Sequence, residues 1–326
     1  MSAPPRRLPV LEPPAPLLAL PARVDGPPLP PWEHAPTVEW QICGQCNYDC
    51  SYCIQSPKHR VGYPTRERLD RALAALAALP GAWEVKMTGG EPFSSRLFLD
   101  HIVPGLRDTP HRISVLTNLS APERQLLRFA ELTRGRLAVV SASLHLEFTD
   151  VPAVLQRLGA LRGAADPAAR IVVNSVLVPD RLAEVRAARD QVEAAGFRFF
   201  PQLMKVKRGL YPYTPEQLEL VRAIVGDLDA AARLRSANLA PSYAGRTCYT
   251  GARYFVLLQD GEAWSCRSAR RYGEGRLGSV VDGTFALAPG PVRCRYPICP
   301  CTVPANRGMI EGVPMRPSLA ADGADA

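Results

Sequence analysis

Six times between Val38 and Leu203 a short apolar, β-branched run gives way to a stretch with helical spacing, and this repetition restricts the fold more than any other feature. The runs begin near Val38 (VEWQI), Trp83 (WEVKM), Ile113 (ISVL), Leu137 (LAVVSASL), Ile171 (IVVNSVLV) and Phe197 (FRFFPQL). The clearest helical pattern between them carries Leu69, Leu73, Leu76 and Leu79 on one face and stops at Pro80-Gly81. Others follow in APERQLLRFAEL, VPAVLQRLGAL and RLAEVRAARDQVEAAG. Another starts at Thr214, with Pro215 in its first turn and Gln217 completing a capping box. Strand–helix units in series predict a parallel α/β barrel or open sheet, with chemistry at the C-terminal ends of the strands.

The rest of the chain sets the boundaries. Twelve of the 33 prolines fall in the first 36 residues, which read as a disordered Pro-rich arm. Arg6 and Arg7 precede LLAL there, but prolines interrupt the segment on both sides and argue against a secretory signal. The strand–helix alternation stops near Arg235, and from Ala244 the texture changes to Gly, Cys and short strands. The expected division is therefore an arm over 1–36, a core over 37–243, a small cysteine-rich domain over 244–306 and a flexible tail over 307–326. No apolar run approaches the ~20 residues of a membrane span. A net charge of +8 allows nucleic acid or an acidic substrate as a partner, but no RNA-binding module is recognisable. Nine cysteines in a chain without a secretion signal read as metal ligands in a reducing cytoplasm.

The loop after the first strand, QCNYDCSYC, offers three thiols: Cys46, Cys50 and Cys53. Thiolates favour iron–sulfur clusters and zinc. Three on a four-iron cube leave one iron for an outside ligand, as an open position does on a catalytic zinc. A four-thiol zinc site would add Cys43, giving the pairs Cys43/Cys46 and Cys50/Cys53. Too few residues separate those pairs, since zinc ribbons place ~15–20 between them.

The spacing Cys46-x-x-x-Cys50-x-x-Cys53, with Tyr52 before the last cysteine, resembles the signature of the radical S-adenosylmethionine (SAM) superfamily. The resemblance implies a 4Fe–4S cluster whose open iron binds SAM. Electron transfer from that cluster would yield a 5′-deoxyadenosyl radical that abstracts hydrogen from substrate. It also implies that Gly89, Gly90, Glu91 and Pro92, which close the second strand, receive the amino group of SAM. A bulky residue at Gly90 is then expected to lower SAM affinity and leave the cluster assembled. Asn118, Ser143 and Asn174, at or near strand ends, match positions that contact the ribose and carboxylate of SAM. His145 is a candidate for a catalytic role. The basic run Lys205 to Arg208 could hold a phosphate or carboxylate.

Cys248, Cys266, Cys294, Cys299 and Cys301 remain. Between the first two, YFVLLQDGEAWSC reads as a hairpin turning at Asp260-Gly261, which would bring its flanking cysteines together. This resembles the auxiliary-cluster extension called twitch or SPASM. Five cysteines are enough for one four-ligand cluster, with one of Cys294, Cys299 and Cys301 left over; structural zinc is the alternative. The expected fold is thus α/β, a partial (β/α)6 parallel barrel with a small C-terminal cysteine-rich β-hairpin domain. The expected function is reductive SAM cleavage with hydrogen abstraction from a small-molecule or peptide substrate, leading to oxidation, epimerisation or cross-linking. A flavodoxin- or ferredoxin-type reductant would serve it. The alternatives are a maturase of ribosomally made peptides and a non-enzymatic iron–sulfur carrier or redox sensor.

Overall fold

The computed structural model describes residues 35–55, 62–206, 209–225, 243–297, 299 and 303–311. The arm over 1–34, Lys207, Arg208, Cys301 and the tail from 312 onward lie outside the described residues.

All six expected strands form. They are β1 (Thr37–Cys43), β2 (Glu84–Gly89), β3 (Arg112–Thr117), β4 (Leu137–Ser143), β5 (Arg170–Leu177) and β6 (Arg198–Leu203). They pair in parallel and in sequence order, β1 to β6. Two short strands, β7 (Lys205–Val206) and β8 (Gly209–Leu210), pair with each other beyond β6. The helices between strands are α1 (Arg66–Ala77), the short α2 (Val103–Gly105), α3 (Glu123–Leu132), α4 (Val151–Ala164) and α5 (Leu182–Ala194). After β8 comes α6 (Pro215–Val225). Its capping box is present: Gln217 N donates to Thr214 Oγ1 at 3.3 Å, and Thr214 N donates to Gln217 Oε1 at 2.9 Å.

Period-2 alternation sorts each strand into two faces. Val38, Trp40 and Ile42 of β1, Val85 and Met87 of β2, Ile113 and Val115 of β3, and Val140 and Ala142 of β4 are buried. They share one apolar core with Leu69, Leu73 and Leu76 of α1, Leu126 and Phe129 of α3, and Leu158 and Leu161 of α4. The register puts Glu39, Lys86, Ser114, Ser141, Ser143 and Asn174 on the opposite face. A parallel sheet covered by helices on both faces carries apolar side chains on both. Here the opposite face mixes these polar groups with Leu116, Val139 and Val172.

The C-terminal part is not a separate layer. Strand β9 (Thr247–Cys248) is followed by β10 (Tyr254–Leu257), which pairs in parallel with β1, Thr37 opposite Tyr254. The predicted hairpin then runs from β10 into β11 (Glu262–Trp264) through Gly261 at φ +92°, and β12 (Arg276–Ser279) completes the edge. One nine-stranded sheet therefore crosses the expected boundary at residue 243, in the order β12-β11-β10-β1-β2-β3-β4-β5-β6. The tail expected from residue 307 is corrected for Arg307 to Glu311. Arg307 is buried against Glu84 at 2.5 Å and donates to Thr37 Oγ1 at 2.8 Å; Met309 and Ile310 are fully buried.

Candidate functional site

The three-cysteine loop leaves β1 at Cys43 and lies across the end of β2. Gly90 N donates to Cys43 O at 3.0 Å, and Glu91 N donates to Gln45 O at 2.9 Å. The approach is close enough to require glycine twice. A Cβ on Gly89 would stand 2.3 Å from Cys43 O, and one on Gly90 would stand 1.9 Å from Gln45 O. Beneath this contact the Glu91 carboxylate is fully buried and held by the chain's own donors. Phe93 N reaches it at 3.1 Å, Thr117 Oγ1 at 2.8 Å and Asn118 N at 2.7 Å. Burial pushes this carboxyl up to about 7 against the pull of those three hydrogen bonds. Glu91 thus ties the end of β2 to the end of β3. The Asn118 side chain then reaches the loop, donating to Asn47 Oδ1 at 3.0 Å with Cys46 Sγ at 3.9 Å.

The far side of the loop rests on the segment after β4. His145 Nδ1 lies 2.8 Å from the Tyr52 hydroxyl and 3.5 Å from Cys50 Sγ. Burial lowers the histidine to about 4, with Glu147 pulling the other way, so the ring is neutral at physiological pH. Its Nδ1 lone pair can then accept from Tyr52. Glu147 accepts from Ser51 N at 2.9 Å and from Ser51 Oγ at 2.5 Å. Tyr48 stacks on Phe148 at 4.7 Å between centroids. Asn47, Tyr48, Thr117 and Glu147 were not singled out in the sequence; the only available signal was their adjacency to the cysteine loop or to a strand end.

Cys43 is fully buried, and its thiol faces two backbone carbonyls, Glu91 O at 3.6 Å and Gln45 O at 3.7 Å. Burial pushes it up to about 12. It stands apart from Cys46, Cys50 and Cys53, of which Cys50 is buried, Cys46 half-buried and Cys53 exposed. Cys46, Cys50 and Cys53 without a fourth thiol are the donor set of a four-iron cluster with one open iron rather than of a closed four-thiol zinc site.

On the sheet face opposite the apolar core, Ser143 Oγ donates to Asn174 Oδ1 at 3.2 Å, and Gln202 Nε2 donates to the same oxygen at 3.0 Å. Asn174 Nδ2 in turn donates to Ser141 Oγ at 2.9 Å. The expected residues Ser143 and Asn174 are thus brought together, with Ser141 and Gln202 joining them.

A second site lies beyond β10. Strand β13 (Val292–Arg293) pairs with β9 and sets Val292 opposite Cys248. Cys248, Cys266, Cys294 and Cys299 all line one cavity of about 350 Å³. Burial pushes Cys248 up to about 11. Four thiols on one cavity fit a four-ligand cluster.

Residues 40–172 match the Radical SAM superfamily. Among solved structures, the chain is similar to anSMEcpe with bound AdoMet, at 17% identity over 76% of this chain and 75% of that one, with a TM-score of 0.53. It is also similar to native anSMEcpe with bound AdoMet and the Kp18Cys peptide (17% identity, 76% and 78% covered, TM-score 0.54). A third likeness is to Streptococcus suis SuiB bound to S-adenosylmethionine (10% identity, 78% and 66% covered, TM-score 0.54). At these identities the likeness is one of fold. No curated protein matches the sequence.

Proposed function

We propose that the chain, whose residues 40–172 match the Radical SAM superfamily, cleaves SAM reductively to abstract hydrogen from a bound substrate. The observation that carries this reading is the docking of the three-thiol loop onto Gly89 and Gly90 at the rim of the partial barrel. Cys46, Cys50 and Cys53 would hold a 4Fe–4S cluster. When bound, that cluster with SAM supplies the electron and the radical precursor.

The chain's own residues then position and enclose. The N–H groups of Gly90 and Glu91 are taken by Cys43 and Gln45 carbonyls, so an amino group approaching this turn meets acceptors rather than competing donors. Pro92 follows and starts a buried turn. Asn118 spans from the loop to β3, and Ser143 with Asn174 offers hydroxyl and amide groups to a ribose or carboxylate. The contact of Tyr52 with His145 at 2.8 Å supports a positioning role for His145. Cys248, Cys266, Cys294 and Cys299 would hold an auxiliary 4Fe–4S cluster.

A small-molecule and a peptide substrate both suit an open face. The peptide reading is supported by the structure of anSMEcpe with its bound Kp18Cys peptide. A flavodoxin- or ferredoxin-type protein would supply electrons in the cytoplasm.

The test is spectroscopic. Anaerobically reconstituted, reduced protein should show two cluster signals by electron paramagnetic resonance, and adding SAM should shift one and leave the other. With Cys46, Cys50 and Cys53 all changed to Ala, the SAM-sensitive signal and about half the iron should disappear. A zinc-loaded, iron-free protein would refute the assignment.

A further inference from the structure

The sheet face turned away from α1, α3 and α4 carries three cations over two buried carboxylates. Thr37 and Glu84 begin β1 and β2, and Arg307 closes that end, 2.5 Å from Glu84 Oε2 and donating to Thr37 Oγ1 at 2.8 Å. Two residues further along each strand, Glu39 stands opposite Lys86, and Lys86 opposite Ser114. Glu39 Oε2 takes the Tyr254 hydroxyl and, at 3.2 Å, Arg267 Nε. Glu84 Oε1 accepts from Ser114 Oγ at 2.7 Å. Each carboxylate thus has its own guanidinium. Lys86 is the third cation. Its Nζ lies 3.7 Å from Glu39 Oε1, beyond hydrogen-bond reach, and makes no hydrogen bond among the described residues.

An ammonium has three donors, and the Lys86 side chain is 23% exposed, so water or a ligand can reach them. The strand sets what such a ligand could span. Four residues of β2 separate Lys86 from Gly90, roughly 13 Å at ~3.3 Å per residue. The cysteine loop crosses that far end, where Glu91 N donates to Gln45 O. A molecule held at one end by Lys86 would therefore point its other end at the loop.

We propose that Lys86 anchors a carboxylate of the substrate, so that the enzyme acts on an acid. This deepens the SAM-cleavage reading above and rests on it. The carboxylate belongs either to a peptide side chain or to a small organic acid. One ammonium matches one negative charge, whereas a phosphate dianion would bring a second negative charge beside Glu39 and Glu84.

The experiment uses the reconstituted full chain with the ε-carbons of its lysines isotopically labelled. Lys58, Lys86, Lys205 and Lys207 are the only lysines, so each gives its own magnetic-resonance signal. Lys86→Arg, which keeps the charge, assigns the Lys86 signal by removing it. At constant ionic strength, propionate or a terminally blocked Ala-Glu-Ala peptide should move that signal saturably. Propionamide, the neutral isostere, should not. Tighter binding of the peptide identifies a side chain as the source of the carboxylate, and binding of propionate alone identifies a small acid. Lys86→Gln should weaken binding about tenfold or more. A Lys86 signal that ignores both carboxylates, or that moves equally with propionamide, overturns the proposal. Tighter binding of inorganic phosphate overturns it as well, as does undiminished affinity in Lys86→Gln. Should Lys86→Gln not fold, the titration of the parent decides alone. Binding is read here without turnover, so a failure of SAM cleavage shows separately, as absent 5′-deoxyadenosine.

Discussion

A methyl group on Gly90 would lie 1.9 Å from Gln45 O and 2.7 Å from Cys46 N. Both atoms are backbone, so the strain can be relieved only by moving the cysteine loop. Overpacking of this kind costs about 1–3 kcal/mol, and here the loop bears it. Gly90→Ala is therefore expected to lose most of the iron of the first cluster while keeping that of the second, as read by iron analysis and Mössbauer spectroscopy. This reverses the expectation from sequence, which put the obstruction on SAM and left the cluster assembled. An intact first cluster with weakened SAM binding would restore that earlier view. The need for glycine was readable in Gly89-Gly90, but the identity of what fills the space was not, because it comes from a segment folded back from another strand. Glu91 teaches the same point. Its position at a strand end was plain, whereas its three donors from the β2–β3 rim appear only once the sheet is assembled.

At the scale of elements, the capping box at Thr214 was readable because its partners are three residues apart. The Glu84–Arg307 pair was not, because it joins β2 to a segment near the end of the described chain. Local periodicity carries no information about such a contact. Burial alone would push the Glu84 carboxyl up; the Arg307 guanidinium beside it, with Ser114 and Lys86, holds it down at about 2. A depressed carboxyl contributes stability that is present above its ordinary value of 4.5 and is lost as pH falls toward 2. Arg307→Met leaves a buried carboxylate without its partner and is expected to cost about 3–5 kcal/mol at neutral pH. In the variant, burial would raise Glu84, so acidification should stabilise it and narrow the gap to the wild type between pH 7 and about 4.5. Urea unfolding midpoints at the two pH values check both statements. Equal midpoints at pH 7 would show that the pair holds nothing.

For the whole molecule, the consequence of β10 pairing with β1 is that both cysteine sites hang on one sheet. The first loop leaves the end of β1, and the chain between Cys248 and Cys266 builds β10 and β11 on the other edge of that strand. The six-strand repeat was readable because each unit satisfies its own pattern. The joining of the C-terminal hairpin to that sheet was not, since a short apolar strand declares its period and not its neighbour. This continuity joins the loop of Cys46, Cys50 and Cys53 and the strands that follow Cys248 through one nine-stranded sheet. The measurement that tests the proposed SAM cleavage most directly is 5′-deoxyadenosine formation by anaerobically reconstituted protein given SAM and a strong reductant. The wild type is expected to form it, and Cys46→Ala, Cys50→Ala and Cys53→Ala are each expected to abolish it. Product formation at the wild-type rate in any of the three, or none from an iron-replete wild type, would contradict the assignment.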